Sequence, residues 1–132
     1  MNMNKYTIKA QEAVQEAVKR AERQGQQAIE PEHLLSGILQ AAEEVTRFIF
    51  QKLGLNPTTV QQAVDAQIGS LPKVQGGQPY LSQQSSQVLQ KAEDLAQQGG
   101  DEYVSVEHLL MAIADVQCTA GKMLKDMGLT QE

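Results

Sequence analysis

This sequence predicts an all-α domain made of two copies of one four-helix unit, related by a pseudo-two-fold axis. Three observations predict it. Glu32-His33-Leu34-Leu35 returns as Glu107-His108-Leu109-Leu110, so that His33 and His108 stand 75 positions apart. At that offset residues 7–38 and 82–113 share nine identities in 32 positions, where ordinary residue frequencies give roughly two. Apolar residues recur at helical spacing in stretches punctuated by glycine and proline. Aromatic side chains are scarce (Phe 2, Tyr 3, Trp 0), while small and aliphatic residues are plentiful, which suits closely packed helices.

Thr7 opens the first helix, with its hydroxyl placed to cap free backbone N–H groups. Ala10, Ala13, Val14, Ala17, Val18 and Ala21 form one apolar stripe at i, i+3, i+4, i+7, i+8 and i+11. Lys9, Glu12, Glu16, Lys19, Arg20 and Arg23 occupy the other face, and Gly25 ends the helix. Pro31 suits the first position of a second helix, because its missing N–H costs nothing there. Glu32 lies in that helix's first turn, favoured by the helix dipole, and Leu34, Leu35, Ile38 and Leu39 form its buried stripe. A third helix runs from about Glu43 to Leu53, is expected to bury Val45, Phe48, Ile49 and Leu53, and stops at Gly54. Asn56-Pro57 starts a fourth, with Val60, Ala63, Val64 and Ile68 inward.

Periodicity lapses from Gly69 to Leu81, where Gly69, Pro72, Gly76, Gly77 and Pro79 indicate a connecting loop. Ser82 caps the first helix of the second copy, whose apolar positions are Val88, Leu89, Ala92, Leu95 and Ala96, and Gly99-Gly100 ends it. Val106 to about Ala114 repeats the second helix and Thr119 to Met127 the third. The expected division is repeat 1 at 5–68, linker at 69–81 and repeat 2 at 82–132. A fourth helix of the second copy should begin just after Thr130. Its last helix is therefore expected to be truncated, and the chain to be a piece of a longer protein. Neither unit buries a full core alone, so the two should pack on each other.

Composition narrows the function. Net charge is −5 and the eleven Lys and Arg residues are scattered, which argues against a phosphate-backbone binder and favours basic or unfolded cationic partners. The one cysteine, Cys118, fits a reducing compartment and reads as a small buried side chain. No apolar run approaches the ~20 residues of a membrane span, and the start at Met1 lacks a signal-peptide core. The expected setting is cytoplasmic.

No catalytic or metal-ligating motif is present. Zinc proteases need His-Glu-x-x-His, with two histidines on one helix face, whereas His33 and His108 each stand alone beside two leucines. That placement reads as a packed, hydrogen-bonded residue. Cys118 and Ser36 lie in no nucleophile motif. Gly121-Lys122 lacks the upstream glycine of a phosphate loop, since Val116 stands there. What remains is a binding surface. Thr7 and Glu32 match Ser82 and Glu107, each a helix-start hydroxyl and a helix-start carboxylate, and exposed N–H groups beside them could hold both polar ends of a peptide. Simple capping is the competing reading.

The doubled pattern from Thr7 through Pro31-Glu32-His33-Leu34-Leu35, and from Ser82 through Gly100-Asp101 to Glu107-His108-Leu109-Leu110, resembles the Clp amino-terminal (Clp repeat) domain. Ser70-Leu71-Pro72-Lys73-Val74-Gln75-Gly76 looks like the Leu-Pro-x-Val-x-Gly connection of that family's ClpB disaggregase branch. The resemblance implies an all-helical substrate-recognition domain on a homohexameric AAA+ chaperone of the stress response. Such a domain engages unfolded or aggregated protein segments and passes them to the ATPase rings. ATP and Mg, and an Hsp70-type partner, would belong to other domains, leaving this segment non-enzymatic, without a cofactor, and monomeric alone. Matched by position, the family's substrate-binding polar residues fall on Thr7, Asp101 and Glu107. An apolar groove of the ClpB branch is matched by Leu89 and Leu95, while Lys91 and His108 depart from it. The ClpC and ClpA branches imply an alternative, an adaptor- or phosphoarginine-binding domain using Thr7/Glu32 and Ser82/Glu107, where a carboxylate pairs the guanidinium and helix N–H groups take the phosphate.

Overall fold

In the computed structural model, which describes residues 3–74 and 77–129, seven helices and one short parallel strand pair make up the fold. The helices are α1 (Ile8–Arg23), α2 (Pro31–Ala41), α3 (Glu43–Lys52), α4 (Pro57–Gly69), α5 (Gln83–Gln98), α6 (Val106–Asp115) and α7 (Thr119–Asp126). The strands are β1 (Ala28–Ile29) and β2 (Tyr80–Leu81). Helices α1 and α5 sit 75 positions apart at both ends, so the duplication in sequence is a duplication in structure. Thr7 Oγ1 accepts the Ala10 N–H at 3.1 Å, and Ser82 Oγ accepts the Ser85 N–H at 3.1 Å. Gly25 and Gly100 close α1 and α5 with φ of +68° and +73°, a left-handed turn that side chains resist.

The halves interlock by exchanging strands. Ile29, just before α2, pairs with Leu81, just before α5. Val104, just before α6, pairs with Tyr6, just before α1. Ser82 N–H donates to Ile29 O at 3.1 Å, and Thr7 N–H donates to Val104 O at 2.9 Å. Shifting either bond by 75 positions turns it into the other, which is the pseudo-two-fold relation seen in hydrogen bonds. The end of the expected linker loop is thus ordered as β2. Gln75 and Gly76, within the Leu-Pro-x-Val-x-Gly stretch, lie outside the described residues, as do Thr130 and everything after it.

Helix α2 is the hub, since it packs against all six other helices. Every residue from Pro31 to Leu39 is buried as a result. Its tightest neighbour is α1, where Ala10, Ala13, Ala17 and Ala21 are at most 1% exposed. Gly37 lies against the Ala13 carbonyl, and a Cβ there would stand 3.0 Å from the Ala17 nitrogen. Small residues on both helices allow this backbone-to-backbone approach. In the second copy Val88 and Ala112 replace Ala13 and Gly37, and α5 and α6 meet less extensively.

Helix α3 departs from expectation. Val45 and Phe48 are 39% and 63% exposed, and the buried residues are Thr46 and Phe50, with Ile49 and Leu53 half-buried. Ala42 both ends α2 and starts α3 at φ −126°, ψ 50°. That corner sets the rotation of α3 so that Ala42, Thr46 and Phe50, four apart, face inward. The Thr46 hydroxyl donates to Ala42 O at 3.0 Å, which removes the cost of burying it. On α4, Val60, Val64 and Ile68 are fully buried and Ala63 half-buried. Val18 and Leu95 are also half-buried. Cys118 is buried as a cap of α7: its Sγ accepts the Gly121 N–H at 3.4 Å and faces Ile113 O, and burial raises its thiol pKa.

Candidate functional site

The strand exchange decides which of the candidate residues meet. Thr7 is tied to Val104, and therefore lies beside the segment that carries Asp101 and Glu107 rather than beside Glu32. Ser82 is tied to Ile29 and lies beside the start of α2, which carries Glu32. Each helix-start hydroxyl is thus tied to the segment that leads into the other copy's second helix, which carries Glu107 in the case of Thr7 and Glu32 in the case of Ser82. Sequence alignment within each copy could not reveal a swap between copies.

These two places differ in access. Glu107, in the first turn of α6, is exposed, and the Asp101 side chain is 56% exposed. Glu32 is 6% exposed, and burial raises its carboxyl pKa above the usual range. Glu32 therefore shows little of its side chain at the surface.

Both histidines act as caps, a role the sequence reading missed. His33 Nδ1 accepts the Glu30 N–H and His108 Nδ1 the Ser105 N–H, each at 2.9 Å. Each ring therefore takes the place usually held by Glu or Gln in a capping box. With Nδ1 accepting, each Nε2 carries the proton and donates. His33 donates to Gln26 Oε1 at 2.7 Å, and His108 to Asp101 Oδ2 at 3.0 Å. His33 is fully buried, and desolvation lowers its pKa to about 4, helped by the nearby Arg20 charge. The signal was a histidine three residues after each N-cap. Among the described residues no group of three or more His, Cys, Asp or Glu side chains gathers as metal ligands would.

Beside Thr7 the surface dips into a depression of about 320 Å³, where Tyr6, Leu81 and Leu89 lie among Lys5 and Glu93. Leu89 is 5% exposed, so the depression shows only its edge, and the half-buried Leu95 is not part of the lining. The Tyr6 hydroxyl donates to Glu93 Oε2 at 2.8 Å and is pushed well above the ordinary phenol range, chiefly by burial. Lys91 pairs with Asp115 at 3.1 Å. The Gly121-Lys122 pair does not fit a nucleotide phosphate. The Gly121 N–H is already held by Cys118, and Lys122 Nζ pairs with Asp126 at 3.0 Å.

No described helix is long and apolar enough to cross a membrane. The chain is 55% identical over 132 residues to the chaperone protein ClpB of Bacteroides thetaiotaomicron, and 52% identical over 132 residues to that of Porphyromonas gingivalis. Each match takes in 100% of this chain, which spans about 15% of the length of those curated relatives. The fold matches the Hsp104 N-terminal domain from Candida albicans, with a TM-score of 0.82 at 22% identity, covering 96% of this chain and 84% of that one. It also matches the N-terminal domain of the ClpV1 ATPase from E. coli, with a TM-score of 0.81 at 20% identity, covering 95% and 77%. The family model of the Clp repeat (R) N-terminal domain matches residues 5–127, and the chain belongs to that family.

Proposed function

We propose that this domain is the substrate-recognition module of a ClpB-like disaggregase, binding unfolded or aggregated polypeptide for transfer to ATPase rings elsewhere in the protein. Its own role is non-catalytic. ATP and Mg, the homohexamer and an Hsp70-type partner belong to the longer protein on this reading, in the cytoplasm. Repeats at 5–68 and 82–132 joined by 69–81 form one module. One observation carries the reading: Thr7, from one repeat, and Asp101 and Glu107, from the other, share an exposed edge beside the depression that holds Leu89. Carboxylates and a helix-start hydroxyl suit the N–H groups and cationic side chains of an unfolded chain, and the depression suits one apolar side chain. A small surface of this kind gives weak, sequence-tolerant binding. The alternative, a two-site phosphoarginine or adaptor receptor, needs an accessible Glu32, and its burial counts against the symmetric version.

The test is binding of a permanently unfolded protein, reduced and carboxymethylated α-lactalbumin, to the isolated domain. Thr7→Ala, Asp101→Ala and Glu107→Ala should each weaken it several-fold. Unchanged binding in three folded variants sinks the assignment of the site. Saturable binding of free phosphoarginine, lost in Glu107→Ala, would support the alternative instead.

A further inference from the structure

Helix α3 carries two apolar stripes, and its own fold uses one of them. It packs against α2 and α4 with Thr46 and Phe50 buried, while Val45 and Phe48 are left 39% and 63% exposed. On that outward face Glu44, Phe48 and Lys52 follow one another at intervals of four and form a single exposed ridge, with Val45 beside it. Glu43 and Arg47 satisfy each other at 2.8 Å. Glu44 and Lys52 make no ion pair among the described residues, and Lys52 Nζ lies 5.5 Å from the centre of the Phe48 ring.

The ridge is complementary to itself. Glu44 and Lys52 each stand four positions from Phe48, one on either side. When a second copy's α3 lies antiparallel across it, with Phe48 on the two-fold axis, position 44 of each helix comes opposite position 52 of the other. Two Glu–Lys pairs then close around a Phe48–Phe48 contact, an isologous arrangement with an aromatic centre and a charged rim. Parallel helices would instead oppose like charges at both ends. A foreign partner would need a cation and an anion at this spacing, whereas a second copy carries both by necessity. We propose that the outer face of α3 is a contact between copies of this chain, antiparallel about Phe48, with Glu44 of each copy paired to the partner's Lys52. One helix face covers well under the roughly 800 Å² per partner of a stable interface, so the contact is weak, with a Kd of about 1 mM. It leaves the chain monomeric at micromolar concentration and forms where copies are held together at millimolar effective concentration, as in the homohexamer of the functional reading. The contact does not rest on that reading, since Thr7, Asp101 and Glu107 take no part in it and its test uses no substrate.

The test is NMR of the 132-residue chain at concentrations from about 0.05 to 2 mM, which bracket that Kd. Amide shifts in α3 should move with concentration while those of α5 and α6 stay fixed, and Phe48→Gln should weaken the association at least tenfold. Glu44→Lys and Lys52→Glu, each alone, should weaken it at least fivefold, because like charges then meet. Mixing those two variants in equal amounts should restore it, since one copy then bears lysine at both positions and the other glutamate at both. The double variant Glu44→Lys/Lys52→Glu should associate within twofold of wild type. All these positions are exposed, so circular dichroism should show unchanged helicity. Shifts in α3 that do not depend on concentration overturn the proposal, and so does association that survives Phe48→Gln. Single variants that lose association and are rescued neither by mixing nor by the double exchange overturn the antiparallel pairing.

Discussion

Replacing Gly37 with alanine puts a methyl group into the closest contact of the α1–α2 interface. The new Cβ would overlap the Ala13 carbonyl oxygen and lie 3.0 Å from both the Ala13 carbonyl carbon and the Ala17 nitrogen. All three are backbone atoms of α1, so no side chain can rotate out of the way. Relief requires the two helices to separate by roughly 1 Å, which loosens Ala10, Ala13, Ala17, Leu34, Leu35 and Ile38 together, all at most 2% exposed. Overpacking of this kind costs about 1–3 kcal/mol, more where the backbone must move. Alanine returns up to about 1 kcal/mol through helix propensity. A net loss of about 2 kcal/mol is expected, taking the upper end of the overpacking cost because the obstructing atoms are backbone, against the roughly 5–15 kcal/mol available to a domain. Urea denaturation followed by far-UV circular dichroism measures it, with Gly69→Ala as control. A Cβ on Gly69 meets nothing within 4 Å and its φ is not positive, so that variant should match or slightly exceed wild type. A Gly37→Ala domain as stable as wild type would refute the close-approach argument.

Three further expectations follow from single contacts. His33 titrates near 4 in the fold against 6.5 when free, so the unfolded chain binds the extra proton between those values. Its contribution, about 3 kcal/mol, is fully present above pH 6.5 and is lost as pH falls toward 4; an NMR imidazole midpoint near 6.5 would contradict it. Tyr6→Phe removes a bond between repeats that runs to an exposed carboxylate, and thermal unfolding should show a loss of about 1 kcal/mol. Phe48→Gln should change stability by less than about 0.5 kcal/mol, as for surface positions generally, because Phe48 is 63% exposed; a loss above 2 kcal/mol in the same denaturation assay would restore it to the core.

Sequence alone determined the repeat, the helices and most of their caps, because each depends on neighbours a few residues apart. Thr7, Ser82 and Asn56 cap because their side chains reach N–H groups two or three positions on, and the stripes of α1, α2 and α5 follow a period of 3.6. Where two apolar stripes competed, as on α3, local pattern was insufficient, and the Ala42 corner chose Thr46 and Phe50 over Val45 and Phe48. Tertiary structure alone decided that α2 is the hub, and that Thr7 is bonded to Val104, on the segment leading to Glu107, while Ser82 is bonded to Ile29, on the segment leading to Glu32. Two copies of one motif carry the same short-range information, so nothing within either copy says which will be wrapped by its neighbours. Burial is settled by packing across 50 or more residues, and there Glu32 and Glu107 cease to be equivalent.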